Sequence, residues 1–393
     1  MEDKEVVVVS ATRTAIGNFG GCFKDVSAVD LAVTVIDSAL RRAGIEKKLV
    51  EMVILGNCFA PLEQNIARIV AVKCGIPIEV PAFSVITNCA SGMQAIICGV
   101  QAIREGDVDI VVAGGTESMT NAPYVLLTAR WGQRLRHGEM VDMLWRAMQE
   151  PPIGVGMGLT AENIAKKFNI TREEQDALAV LSHQRAVKAI MEGKFKEEIT
   201  PFIIPKKGGE FQICDTDEHP RADTTMEKLS KLPPIFKEGG TVTAGNSSSL
   251  NDAAAAVVLM SMKKAKQMRL QPLAKIRGYA IVGVDPFYMG LGPVPATQKL
   301  LRKLGLSMDK IELIELNEAF AAQYLACERL LGLNREIVNV NGSGIALGHP
   351  VGATGARIVI TLLYEMKRRN VQLGLATLCV GGGLGYAMVL ERT

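Results

Sequence analysis

One phrase occurs twice in this chain, far apart, and it limits what the chain can fold into. VDIVVAGGTESM, beginning at Val108, and LATLCVGGGLGYAM, beginning at Leu375, are each an apolar strand that runs into a Gly-Gly turn. Each follows a helical stretch that opens at a small-residue turn, NCASG in the first case and GATGA in the second. Largely buried strands alternating with helices follow β-α-β logic, so the chain reads as α/β. Two similar halves of that kind around an insertion account for the spacing.

The elements between these phrases fit the same reading. Glu5–Ser10 and Met52–Leu55 have the continuous apolar character of buried strands. Ser27-Ala-Val-Asp30 reads as a helix start with its stop at Gly44, and Asn65–Cys74 as a second helix ending at Gly75. A third helix covers Ser91–Glu105. From about residue 118 to 250 the alternation weakens, and Pro, Met, Trp and charge increase. One long helix stands there, opened by a capping box at Thr171 and Glu174. Alternation resumes from about 271, where LAKIRGYAIVG and KIELIEL read as strands. The expected division is 1–117, an inserted 118–250 whose end returns a strand to the first half, and 251–393.

Bulk properties exclude several function classes. A net charge of +3 and 5% aromatic residues supply neither an electrostatic footprint for nucleic acid nor a base-stacking platform. No apolar run reaches the ~18 residues of a membrane helix. The start, MEDKEVVVVSATRT, lacks the basic and small-residue features of a targeting segment. The 8 cysteines include no CxxC pair, which argues against a zinc site or a disulfide framework and for a reducing, cytoplasmic compartment. No metal and no resident cofactor are expected.

Four turns carry the candidate chemistry. In VITNCASGMQAII, Cys89 falls between a strand and a helix, where backbone N–H groups and the helix dipole should lower a thiol's pKa. NEAFAAQ holds Asn317, ALGHPVGATGAR holds His349, and CVGGGLG holds Cys379 beside consecutive glycines. Each has a plainer reading: a helix cap for Asn317, a satisfied loop residue for His349, core filling for the two cysteines. Dinucleotide binding fails, because the glycine spacing and the helix after it do not match, and no lysine follows the glycines as in a Walker motif. Taken together, a polarised thiol, a histidine, a second thiol and glycine N–H groups suit acyl transfer through a thioester, coupled to proton removal beside a carbonyl.

NCASGM, NEAFAAQ, GHPVGATGAR and CVGGGLG, in this order over the full length, resemble the thiolase family, and within it the biosynthetic acetyl-CoA acetyltransferases. TVTAGNSSSLNDAAAA and GGTESMTNAPY add to the resemblance. It implies a five-layer αβαβα fold of two related halves, with a loop domain that binds coenzyme A. It implies thiolysis of a 3-oxoacyl-CoA, or the reverse Claisen condensation, with coenzyme A as substrate and acetoacetyl-CoA the first substrate to test. By resemblance Cys89 is the acylated nucleophile, His349 its base and an oxyanion donor, and Cys379 the acid/base at the substrate's α-carbon. Asn317 would hold a water in one oxyanion hole, and the N–H groups of Cys89 and Gly381 would form a second. Ser248 would meet the pantetheine arm with Ala244 beside it, and Arg221 the nucleotide end. Met157, Met289 and Phe320 would line the acyl pocket.

Two departures bear on substrate choice. Gly156 stands where the biosynthetic enzymes usually place histidine, and EQNIAR replaces the more usual GQNPAR. A missing imidazole would leave room for a longer or branched acyl chain. A thiolase-like binding subunit without catalysis is the other reading that Gly156 keeps open. Arg130, Arg134, Arg136, Lys206 and Lys207 are candidate partners for coenzyme A phosphates or simply a solvated face. APYVLLTARWGQRL resembles the family's tetramerisation loop, so a homodimer or homotetramer is expected.

Overall fold

The computed structural model describes residues 5–135, 137–149, 152–206 and 208–393. Its frame consists of strands β1 (Val6–Arg13), β2 (Met52–Gly56), β3 (Ala82–Val85), β4 (Ile110–Ser118), β5 (Asn251–Ser261), β6 (Ala274–Gly283), β7 (Leu313–Leu316), β8 (Leu373–Val380) and β9 (Leu384–Arg392). Across the sheet they run β7-β8-β9-β6-β1-β5-β4-β2-β3. Only Val7 with Lys275 and Val8 with Ala274 join β1 to β6, so the sheet parts there into two.

The two parts repeat one plan. β2 lies parallel to β4, β4 antiparallel to β5, and β5 antiparallel to β1. In the other part β7 lies parallel to β8, β8 antiparallel to β9, and β9 antiparallel to β6. The echo between residues 108 and 375 is therefore a repeat in three dimensions, although Gly114 and Gly115 lie inside β4, paired with Ala256 and Ala255, and not in a turn after it. One boundary moves: Asn251, the expected start of the C-terminal half, begins β5, which pairs with β1 and β4 of the N-terminal half. The returning strand thus lies just past the expected insertion.

The main helices are α1 (Ala28–Ala43), α2 (Ile66–Lys73), α3 (Ser91–Glu105), α4 (Met157–Lys167), α5 (Arg172–Met191), α6 (Pro293–Leu304), α7 (Ala321–Leu331) and α8 (Val351–Arg369). Their ends follow local chemistry. Ser27 accepts from Asp30 N–H at the start of α1, and Gly44 closes it at φ 65°. The capping box of Thr171 and Glu174 is formed at the start of α5.

Strand alternation sorts the side chains into layers. Val7 and Val9 of β1 pack with α1 and α2 on one outer face. Val6 and Val8 point the other way, onto α3 and α8, which also receive Leu378, Tyr386, Met388 and Leu390 from the second part. Ala387 and Val389 face outward to α6 and α7. The order is helix, sheet, helix, sheet, helix, as the resemblance implied. Each Val, Ile or Leu sealed in the middle layer contributes roughly 1.5–3 kcal/mol.

The central helices meet backbone to backbone. A Cβ on Gly92 would lie 2.8 Å from Ala356 N, and one on Gly355 would lie 2.5 Å from Met93 N. That contact sets the first turns of α3 and α8 side by side. The insertion is tied to β1 by buried Arg13, which reaches Glu198 at 2.6 Å and Asp217 at 2.7 Å. Among the described residues no helix is long and apolar enough to cross a membrane.

Candidate active site

β3 leads into a single tight turn, Asn88–Ala90, and α3 starts at Ser91. Ser91 Oγ closes the turn, accepting from Thr87 N–H at 2.8 Å and donating to Asn88 O at 2.8 Å. Asn88 takes a left-handed φ of 47°, which this residue type tolerates. Cys89 is thereby presented half-buried at the head of the helix. Its own N–H and that of Gly381 are directed at its sulfur. The expected fall in its pKa is nevertheless overturned: burial pushes the thiol up, and those two N–H groups offset only part of it. The nearby Glu117 carboxylate adds to the rise.

His349 is pinned twice. Its N–H donates to Asn251 Oδ1 at 2.9 Å, and its Nδ1 lies 2.7 Å from Thr354 Oγ1. Gly348, at φ 106°, makes the first bond possible, because a Cβ there would lie 2.5 Å from the Asn251 side chain. Burial, with a smaller push from the Arg357 charge, lowers the imidazole pKa to about 3. The ring is neutral at pH 7.

Cys379 ends the apolar run of β8 and is fully buried. Burial raises its thiol well above the ordinary range, with the Cys89 sulfur as a second cause, so the two thiols face one another electrostatically. Asn317 follows β7, and its N–H reaches Thr377 O on the neighbouring strand at 3.1 Å. It does not cap a helix, since α7 begins at Ala321 with Phe320 in the cap position. Both atoms of its amide are buried without a hydrogen-bond partner among the described residues. A buried primary amide left open at both ends is costly unless something polar meets it.

Met289 and Phe320 pack with Cys379 in one small cluster, and Met157 lies against it. A Cβ on Gly381 would lie 2.9 Å from Met157 Sδ, so this helix-opening methionine reaches the glycine turn. The three residues read as pocket lining are thus brought together. Val242, Ala161, Ala319 and Phe236 complete the cluster and were missed, since nothing in their local pattern marks them. Phe236 crosses Phe320 edge-on at 6.1 Å, and any side chain at Gly158 would strike its ring. Glu162, also missed, accepts from the N–H groups of Thr241 and Val242 at 2.8 Å each and so holds that loop to α4.

Gly156 does not open the pocket. It is buried, and a Cβ there would lie 2.9 Å from Gln149 O and 3.2 Å from Gln149 Cα. The backbone at the end of the helix Met143–Gln149 occupies the space that a side chain would take.

Glu117 was not singled out, though a glutamate inside the apolar run of GGTESM is a signal that could have found it. Its carboxylate accepts from Gly352 N–H at 2.8 Å, Asn57 Nδ2 at 2.9 Å, Phe59 N–H at 3.0 Å and Cys58 N–H at 3.1 Å. It ties the first turn of α8 to the loop after β2.

Ser248 lies beside the NEAF segment, its N–H donating to Ala319 O at 3.0 Å. Ala244 and Arg221 are exposed, and Arg221 N–H donates to His183 Nδ1 at 3.1 Å. Arg130, Arg134 and Lys206 are exposed, while Arg136 and Lys207 lie outside the described residues. In EQNIAR, Asn65 caps α2 and Arg68 donates to Val80 O at 2.9 Å and Ile78 O at 2.8 Å, a structural use of that motif.

Comparison with known proteins agrees with this geometry. Residues 6–263 match the model described as thiolase, N-terminal domain, and residues 270–392 match thiolase, C-terminal domain. An acetyl-CoA acetyltransferase of Pseudomonas aeruginosa is 51% identical over 99% of this chain and 100% of its own length. The crystal structure of the Bacillus anthracis acetyl-CoA acetyltransferase superposes with a TM-score of 0.97 at 50% identity, covering 99% of both chains. Human mitochondrial 3-ketoacyl-CoA thiolase, solved in complex with CoA, superposes at 0.94 with 42% identity over 99% of this chain and 98% of that one.

Proposed function

The chain belongs to the thiolase family, and from that premise we propose that it is an acyl-CoA C-acyltransferase that cleaves acetoacetyl-CoA with coenzyme A, or forms it in reverse. The observation that carries the reading is the meeting of two thiols at one glycine turn. Cys89 receives the N–H of Gly381, and Cys379, two residues before that glycine, lies within electrostatic reach of the Cys89 sulfur.

Each step follows from the state of these groups. Cys89 rests as a neutral thiol and His349 as a neutral imidazole, so attack begins with transfer of the thiol proton to His349. The thiolate adds to the 3-oxo carbon, and the oxyanion falls to the N–H groups of Cys89 and Gly381. The C2–C3 bond breaks and leaves an enolate on the departing thioester. The imidazolium and the open amide of Asn317, acting through a water, stabilise its oxygen. Cys379, a thiol because its burial disfavours charge, protonates C2. The resulting Cys379 thiolate takes the proton of incoming coenzyme A. The coenzyme A thiolate so formed attacks the acyl-Cys89 thioester and carries off the acyl group, and Cys89 leaves, recovering its proton from His349. No net proton is gained or lost.

Ser248, Ala244 and Arg221 are read as the coenzyme A track, with Arg130, Arg134 and Lys206 available to its phosphates. The exposed Phe83 and Ile86 at edge strand β3 favour a homodimer, and exposed Tyr124, Leu127, Trp131 and Leu135 favour pairing of dimers. Eight free thiols suit a cytoplasmic setting, and the reaction suits fatty acid metabolism. The test is thiolysis of acetoacetyl-CoA and 3-oxohexanoyl-CoA side by side, with Cys89→Ala as control. Turnover that survives in the control, or is absent in the folded wild type, overturns the reading.

A further inference from the structure

Thr354 lies in the first turn of α8, fully buried, five residues after His349. Its hydroxyl makes two contacts: 2.9 Å to the carbonyl oxygen of Pro350 and 2.7 Å to His349 Nδ1. A carbonyl has no proton to give, so the first contact is a hydrogen bond only if Thr354 donates it. A hydroxyl has one proton. The second contact must then run the other way, with a lone pair of Thr354 accepting from Nδ1–H. We infer that Thr354 is a positioning residue for the proposed reaction: it selects the Nδ1–H tautomer of His349 and leaves Nε2 bare as the base.

This inference rests on the acyl-transfer reading and deepens it. Neutral imidazole divides its proton between two nitrogens, and only the form with a bare Nε2 can accept a proton there. The contact also serves after the proton has moved, because imidazolium keeps Nδ1–H. The ring therefore takes up and returns a proton at Nε2 without turning. Asn251 holds the backbone of the same residue, so both the position and the tautomer of His349 are set by neighbours that need not touch substrate.

Thr354→Val keeps the shape and removes the acceptor, stranding Nδ1–H against a methyl group. The ring then gains by carrying its proton on Nε2, the wrong nitrogen. The expected result is a fall in kcat of about a hundredfold, at the low end of what a general base supplies, with KM for coenzyme A within about twofold. Thr354→Ser should restore most of the rate. A purely structural role predicts a loss that the serine variant shares through its missing methyl.

The direct readout is ¹⁵N NMR of histidine-labelled wild-type enzyme, tractable because the chain has 4 histidines, with His349→Asn assigning the signal. The inference expects His349 protonated at Nδ1 in the wild type and at Nε2 in Thr354→Val. A wild-type ring protonated at Nε2 overturns it, as does an undiminished kcat in Thr354→Val. If that variant does not fold, the wild-type spectrum alone decides. Failure of the broader reading looks different: no wild-type turnover at all, whatever the tautomer.

Discussion

The side-chain amide of Asn88 donates to the carbonyl oxygen of Gly381 at 2.8 Å, across 293 residues of sequence. It joins the turn that presents the nucleophile to the turn whose N–H faces its sulfur. The two N–H donors of the first oxyanion, those of Cys89 and Gly381, are thus linked by a bond between the two halves of the molecule.

Asn88→Ala should therefore lower kcat by roughly ten- to hundredfold, because about 1 Å of drift between these turns is enough to spoil alignment. Cys89 should remain alkylatable. Steady-state kinetics beside iodoacetamide labelling separates the two effects, and an unchanged kcat would show that the turns hold their register without this bond.

Reactivity of the free enzyme should carry the mark of a neutral pair. Cys89 is raised above the ordinary thiol range by burial, and His349 is lowered to about 3, so neither is charged at rest. The rate of alkylation should climb steadily with pH into the alkaline range. A plateau between about pH 6 and 8 would instead report a standing thiolate–imidazolium pair.

Chain-length preference should follow the small cluster of Met157, Met289, Phe320 and Phe236 around Cys379. Acetoacetyl-CoA is expected to be the better substrate, since Gln149 fills the ground beside Gly156. Met289→Ala should raise the kcat/KM ratio of 3-oxohexanoyl-CoA to acetoacetyl-CoA by about tenfold, the scale set by one or two methylenes in an apolar pocket. An unmoved ratio would take Met289 out of the pocket.

Acid should destabilise the fold through His183. Its Nδ1 accepts from Arg221 N–H, and burial, with the His219 and Arg221 charges, lowers its pKa from the ordinary 6.5 to about 4. The unfolded chain takes up the proton first. The stability is thus present in full above about pH 6.5 and drains away as pH falls through 4. Urea unfolding at pH 7 and at pH 4.5 should show His183→Gln losing about 1–3 kcal/mol less than the wild type over that interval.

The fold was readable because most elements announce themselves locally. Ser27 with Gly44 and Thr171 with Glu174 bound their helices by caps, and the apolar phrases with paired glycines at β4 and β8 exposed the repeat. The site residues were readable as far as motif carried them. Spatial facts were not. Phe236 against Phe320 and Glu117 beneath two loops are contacts between segments far apart in sequence, and Gln149 against Gly156 is a close backbone approach; no local pattern encodes them. The Cys89 pKa shows the same limit. A helix N-terminus is visible in sequence, whereas the burial that outweighs it is a property of the packed molecule.

The backbone contact of Gly92 with Ala356 and of Gly355 with Met93 has an evolutionary meaning. Where two helices meet with no room for a Cβ, the turns that carry Cys89 and His349 cannot drift by small steps, and variation there is closed to selection and to the protein engineer. The inserted segment lies outside that seam of the two central helices, and it supplies Met157, Phe236 and Val242 to the proposed acyl pocket. Diversification should accumulate there: a chemistry held constant at the seam of the halves, with a substrate range rewritten from the loop laid over it.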